Sequence, residues 1–154
     1  MFRAGSGFEE VGWDFAGSGC SADVSPAFGQ PPVVSAVCGG FRASSDISAD
    51  ADPNTGVSVF DSYAPYSGMP YNWVVVGGTS VSSPFIAGLY ARAGHLTGVE
   101  GPNSLYLDPP RDFNDIIAGS NWYPGGCHPA AICTAGPGWD GPTGLGTPHG
   151  LNGF

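Results

Sequence analysis

The chain has no lysine. Its four cations are arginines, Arg3, Arg42, Arg92 and Arg111, against 13 acidic residues, leaving a formal net charge of −9 at pH 7. A surface of that sign repels phosphate backbones instead of neutralising them, so nucleic acid is excluded as a partner. No hydrophobic run approaches the length of a membrane span, and the segment Met1–Phe8 carries neither the apolar stretch nor the cleavage site of a secretory leader. No membrane association is expected. Histidine is scarce, with His95, His128 and His149 alone. There is no internal repeat, and no linker-like tract long enough to divide the 154 residues into two domains.

Cysteine is limited to Cys20, Cys38, Cys127 and Cys133. None of the spacings is a CxxC or a zinc-ligand pair, which argues against zinc. Four cysteines permit three pairings. The local ones, Cys20–Cys38 and Cys127–Cys133, each close a Gly/Pro-rich loop and are expected in preference to free thiols. They imply an oxidising, extracellular setting. Glycine (26) and proline (15) are abundant beside 42% hydrophobic and 12% aromatic residues, a balance that describes a folded, loop-rich domain and not a disordered chain. The acidic surplus suits an acidic medium, where partial protonation of carboxylates lowers self-repulsion.

One segment carries a chemical signature. Trp73-Val74-Val75-Val76 reads as a short buried strand, being aromatic, β-branched and uninterrupted. Gly77-Gly78-Thr79-Ser80-Val81-Ser82-Ser83-Pro84 follows it, and Phe85 to Ala93 then has the composition of a helix. A hydroxyl at such a junction is exposed to the unpaired amides of the helix start, which favour negative charge. Local rules alone also allow a reading without chemistry, in which Ser83 caps the helix and Pro84 is its first residue.

Beyond these local rules, Gly78-Thr79-Ser80-x-Ser82-x-Pro84 resembles the nucleophile motif of the sedolisin family, serine-carboxyl peptidases with a subtilisin-like fold. The resemblance implies that Ser80 is the nucleophile and that the helix begins near it. Further along, Asp115-Ile116 followed by Gly136-Pro137-Gly138-Trp139-Asp140 is similar to that family's calcium site. The implied ligands are the side chains of Asp115 and Asp140 with the backbone carbonyls of Ile116, Gly136 and Gly138, an all-oxygen set of the kind Ca2+ prefers. A rival calcium candidate, Asp50-x-Asp52-x-Asn54, lacks the glycine and the terminal glutamate of an EF-hand loop. Residues 52–56 read instead as a turn, leading into the alternating strand Val57-Ser58-Val59-Phe60. By the resemblance, residues 45–57 form a core strand and turn of structural role.

The expected fold class is therefore α/β, a subtilisin-like parallel-sheet fold represented by its C-terminal portion, loop-rich and with a calcium-binding loop region. Residues 9–154 are expected to be that portion and residues 1–8 an unassigned extension. In the family a glutamate is the general base, an aspartate orients it, and a second aspartate lines the oxyanion hole. The resemblance places all three upstream of this chain. A carboxylate base suits acid, where histidine would already be protonated. Glu9, Glu10 and Asp14 match no such motif and are read as surface charges. The implied function is that of a serine-type endopeptidase acting on proteins or peptides through an acyl-enzyme, inactive alone and with the missing N-terminal part of the same domain as partner. Two alternatives stand beside it: a non-catalytic, calcium-stabilised extracellular module, and part of a subtilisin-like Ser-His-Asp enzyme. Against the latter, all three histidines follow Ser80, whereas subtilisins place theirs before the serine.

Overall fold

The computed structural model describes residues 9–61, 73–94, 102–108, 110–122 and 129–154. Its longest element is a 15-residue helix that follows the serine turn. In chain order the elements are β1 (Gly19–Cys20), α1 (Pro32–Val37), β2 (Ala43–Ser44), β3 (Val57–Phe60), β4 (Trp73–Val76), α2 (Thr79–Ala93), α3 (Asn103–Leu107), β5 (Phe113–Asn114) and β6 (Thr147–Pro148). Short 3-10 turns lie at Pro110–Asp112 and Ala130–Ile132.

The strands pair as β1 with β2, β3 with β4, and β5 with β6, each pair antiparallel. The expected parallel sheet is thus not among the sheets of the described residues, where parallel pairing is limited to an isolated bridge between Gly12 and Gly119. The strand before the serine also departs from expectation. In β4, Trp73 is 67% and Val75 61% exposed, so its outward face is open instead of buried. The reason is that β4 has β3 as its sole ladder partner among the described residues, and two strands do not bury both faces. Residues 45–52 do not form the expected core strand. Their backbone groups are taken instead by a loop from the chain's C-terminal end and by the start of α2. The turn at 53–55 is as expected, with the Asn54 N–H donating to Asp52 Oδ1 at 2.9 Å and the Thr55 N–H to the Asp52 carbonyl at 3.0 Å.

Two cores hold these pieces together. One gathers Val34, Cys38, Ala43, Ile132, Cys133 and Trp139. Helix α1 supplies Val34 to it, a helix that composition alone assigned to a loop-rich stretch, although Pro32 at its first position is a helix-start signal. The disulfide Cys20–Cys38 ties α1 to β1. Cys133 is disulfide-bonded as well; Cys127, its expected partner, lies outside the described residues. The second core joins Leu105 of α3, Phe113 of β5 and Phe154 to one face of α2, formed by Ile86, Leu89, Tyr90 and Ala93 at helical spacing. The edge-on rings of Tyr90 and Phe154, with centroids 4.8 Å apart, lock that contact. Helix α2 ends at Gly94, left-handed with φ of 75°, as its position predicts.

Candidate active site and metal loop

The serine turn is built from two glycines with different duties. Gly78 sits before the first helical residue with φ of 88°, a conformation that L side chains rarely adopt. Gly77 is pressed against the 51–53 backbone, where an added Cβ would lie 2.5 Å from the Pro53 nitrogen and 2.8 Å from the Ala51 carbonyl oxygen. Gly77→Ala is therefore expected to destabilise the protein by about 1–3 kcal/mol, since backbone must shift to admit the methyl. Chemical denaturation checks this; a midpoint equal to the parent's would show that the 51–53 segment gives way freely.

Helix α2 starts at Thr79, five residues before Pro84, the first helical residue of the Ser83-capped reading, and in agreement with the resemblance. Ser80 is exposed within the first turn. The amides of Val81 and Ser82 donate to the Gly78 carbonyl at 2.9 and 3.5 Å. Those of Thr79 and Ser80 have no acceptor among the described residues, so they remain available to an anion. Pro84, inside the helix, has no N–H to give to the carbonyl of Ser80 four residues before it. The turn around Ser80 thus presents main-chain donors, and its Ser80 carbonyl lacks the ordinary helical donor four residues on.

No base is in contact with Ser80: among the described residues its hydroxyl has no hydrogen-bond partner. A cleft of about 870 Å³ opens beside the turn, with Thr79, Ser82 and Ser83 and also Glu9, Glu10 and Asp14 in its lining, without Ser80 itself. The acids read as surface charges from sequence thus lie on the cleft wall, but Glu10 is engaged elsewhere, accepting the Thr147 hydroxyl at 3.0 and 2.9 Å. His149 stands apart, its Nδ1 3.2 Å from the Arg111 carbonyl oxygen. His95 and His128 lie outside the described residues, as does the aromatic segment 63–71.

The predicted metal residues come together around one loop. Asp140, 2% exposed, receives the Thr143 N–H and hydroxyl on Oδ1 and the Gly136 N–H on Oδ2, each at 2.9 Å. Asp115 Oδ2 accepts the Gly138 N–H at 2.9 Å across a 23-residue separation. Burial pushes the Asp140 carboxyl above the ordinary aspartate range, against those hydrogen bonds, and the negative charge of Asp115 adds to the rise. Gly138 has φ of 80° and needs to be glycine, whereas Gly136 has neither a positive φ nor a crowded Cβ position.

Among the described residues no three His, Cys, Asp or Glu side chains converge as a metal-binding group. A cation here would rest on two carboxylates and main-chain oxygens. The donor set fits that role: the carbonyl oxygens of Ile116, Gly136 and Gly138 accept no hydrogen bond among the described residues, and two mutually repelling carboxylates stand beside them. Asp50 and Asp52, the rejected EF-hand pair, are occupied by their own turn, Asp50 Oδ1 accepting the Thr55 hydroxyl at 2.8 Å.

No family model matches the chain. Among curated proteins it is 38% identical over 125 residues to kumamolisin of Bacillus sp. strain MN-32, an alignment covering 79% of this chain and 20% of that protein. It is 35% identical over 114 residues to tripeptidyl-peptidase sed1 of Aspergillus fumigatus, covering 70% of this chain and 15% of the relative. Among solved structures, a Pseudomonas sedolisin, a serine-carboxyl proteinase complexed with two molecules of pseudo-iodotyrostatin, superposes with a TM-score of 0.68 at 27% identity. That match covers 96% of this chain and 41% of the sedolisin chain. The chain therefore spans about a fifth or less of the curated relatives it matches.

Proposed function

Since the chain belongs to the sedolisin family, as a C-terminal region of it, we propose that it is the nucleophile-bearing part of a serine-type endopeptidase. The observation that carries this reading is Ser80, exposed in the first turn of α2 with its own amide without an acceptor among the described residues. In the reaction the Ser80 hydroxyl adds to the peptide carbonyl while its proton passes to a carboxylate that is not among the described residues in contact with it. The Ser80 N–H donates to the oxyanion that forms. The amine leaves with that proton, and water then releases the acyl group from Ser80 by the same route in reverse.

The partner in this scheme is a polypeptide carrying the rest of a sedolisin-type domain. Supporting it is the apolar surface left open around the serine turn, where Phe60, Trp73, Val75 and Phe85 are all more than half exposed. The substrate is a protein or peptide, and the disulfides suit an extracellular location. Ca2+ would be held by Asp115, Asp140 and the carbonyls of Ile116, Gly136 and Gly138; when bound it supplies positive charge between the two carboxylates and stiffens their loop.

Casein digestion at acidic pH tests the peptidase reading. The chain alone is expected to give no hydrolysis, and the chain mixed with the remainder of a kumamolisin-type domain is expected to give some. Hydrolysis by the chain alone that survives Ser80→Ala would overturn the assignment of the nucleophile.

A further inference from the structure

The segment 45–51 lies between the two sites just described and bonds to each in turn. On one side, the Ser45 N–H donates to the Gly141 carbonyl at 2.9 Å, the Leu145 N–H to the Asp46 carbonyl at 2.9 Å, and the Ser48 N–H to the Gly146 carbonyl at 3.0 Å. Trp139 Nε1 adds a bond to the Ser45 carbonyl at 2.9 Å. On the other side, the Gly78 N–H donates to the Ala51 carbonyl at 2.6 Å. The Ser82 hydroxyl points at two carbonyls of the strap, Asp50 at 3.0 Å and Ala49 at 3.3 Å. The strap itself is held at Asp46, whose side chain accepts from Tyr106 at 2.7 Å and pairs with Arg42.

A serine in the first turns of a helix ordinarily turns its hydroxyl back to the carbonyl four residues earlier. For Ser82 that carbonyl belongs to Gly78, which already receives two amides. Ser82 instead leaves its own helix and bonds to the strap, two residues beyond Ser80 and one turn from Gly78. No other donor reaches the Ala49 or Asp50 carbonyl among the described residues. Helix α2 and the strap are therefore joined at the serine turn by two independent bonds, one from Gly78 and one from Ser82.

We propose that Ser82 is a positioning residue for Ser80: its hydroxyl clamps the first turn of α2 to the 45–51 strap, and through the strap the 139–146 loop sets the posture of the serine turn. The function of that posture rests on the peptidase reading; the mechanical coupling does not. Alanine at 82 removes the clamp while leaving helix propensity high. Threonine keeps the hydroxyl.

Hydrogen exchange at the Gly78 and Val81 amides of the full chain tests the coupling without any activity. Ser82→Ala is expected to speed exchange there about tenfold, the change brought by losing one hydrogen bond, and Ser82→Thr to restore it. Trp139→Phe, which deletes the bond from the 139–146 loop to Ser45, is expected to speed the same two amides, with little added effect in the Ser82→Ala background. Unchanged exchange at Gly78 and Val81 in Trp139→Phe, or fully additive effects in the double variant, would sink the coupling. In the chain reconstituted with the remainder of the domain, Ser82→Ala is expected to lower kcat with KM near that of the parent. A rise in KM with kcat intact would sink the positioning role. Hydrolysis absent even with Ser80 and Ser82 both present counts against the peptidase reading alone, because the exchange experiment decides the coupling by itself.

Discussion

Ser80→Ala is expected to cut peptide hydrolysis by the reconstituted domain by roughly 10⁴–10⁶-fold, the loss seen when a catalytic serine is removed while binding is kept. The size follows from what the side chain does. The hydroxyl oxygen is the atom that bonds to the substrate, so nothing nearby replaces it. Ser82 is committed to the Asp50 and Ala49 carbonyls, and Ser83 and Thr79 line the neighbouring cleft. Folding is expected to be untouched, because Ser80 is exposed and its hydroxyl makes no bond among the described residues. Kinetics with a chromogenic peptide at acidic pH, beside a thermal melt, separates the two. Activity within tenfold of the parent in a folded Ser80→Ala protein would remove Ser80 from the mechanism.

The second large effect concerns the loop that holds Asp140. Calcium at a hundredfold excess over its dissociation constant is expected to raise the melting temperature by roughly 5–10 °C, from about 2.7 kcal/mol of binding energy spread over a domain of this size. Asp140→Ala is expected to remove the response, since it deletes one of the two carboxylates and leaves the Gly136 and Thr143 donors without their acceptor. An unchanged calcium response in Asp140→Ala is the outcome that would exclude this site. For the metal-free chain the pH dependence of this group runs against the usual aspartate pattern. Its folded pKa is raised, so its contribution to stability is fully present below the unfolded value near 3.8 and is lost as pH rises through the folded one. Calcium needs the ionised form, so its apparent affinity is expected to rise over the same window.

Several parts of the molecule were legible in the chain itself. The pair Gly77-Gly78 marked the turn, because glycine is the residue that tolerates both a positive φ and a backbone contact. The composition of Phe85 to Ala93 marked a helix, and Gly94 marked its end. The short loop between Cys20 and Cys38 favoured their pairing, which the structure contains. The start of α2 at Thr79 was not legible from local rules, which favour a serine cap followed by proline. The close approach of the 51–53 backbone to Gly77 and the Gly78–Ala51 bond hold the helix open one turn earlier.

Other parts came from contacts between distant segments. The alternation of residues around 45–52 carries no mark that their backbone would bond to residues 141–146 and to Ser82 instead of forming a strand. Composition made β4 a buried strand, yet burial depends on what covers it, and Trp73 and Val75 face outward here. Glu9, Glu10 and Asp14 carry no motif, and their place on the wall of the cleft follows from how residues 9–16 fold against the rest of the chain. Residue types and spacings determined the family resemblance and the turn chemistry, the latter because backbone sterics act within a few residues. The tertiary structure alone decided the strap between the metal loop and the serine turn, because its hydrogen bonds join carbonyls and donors 27 or more residues apart, and no local preference encodes such a meeting.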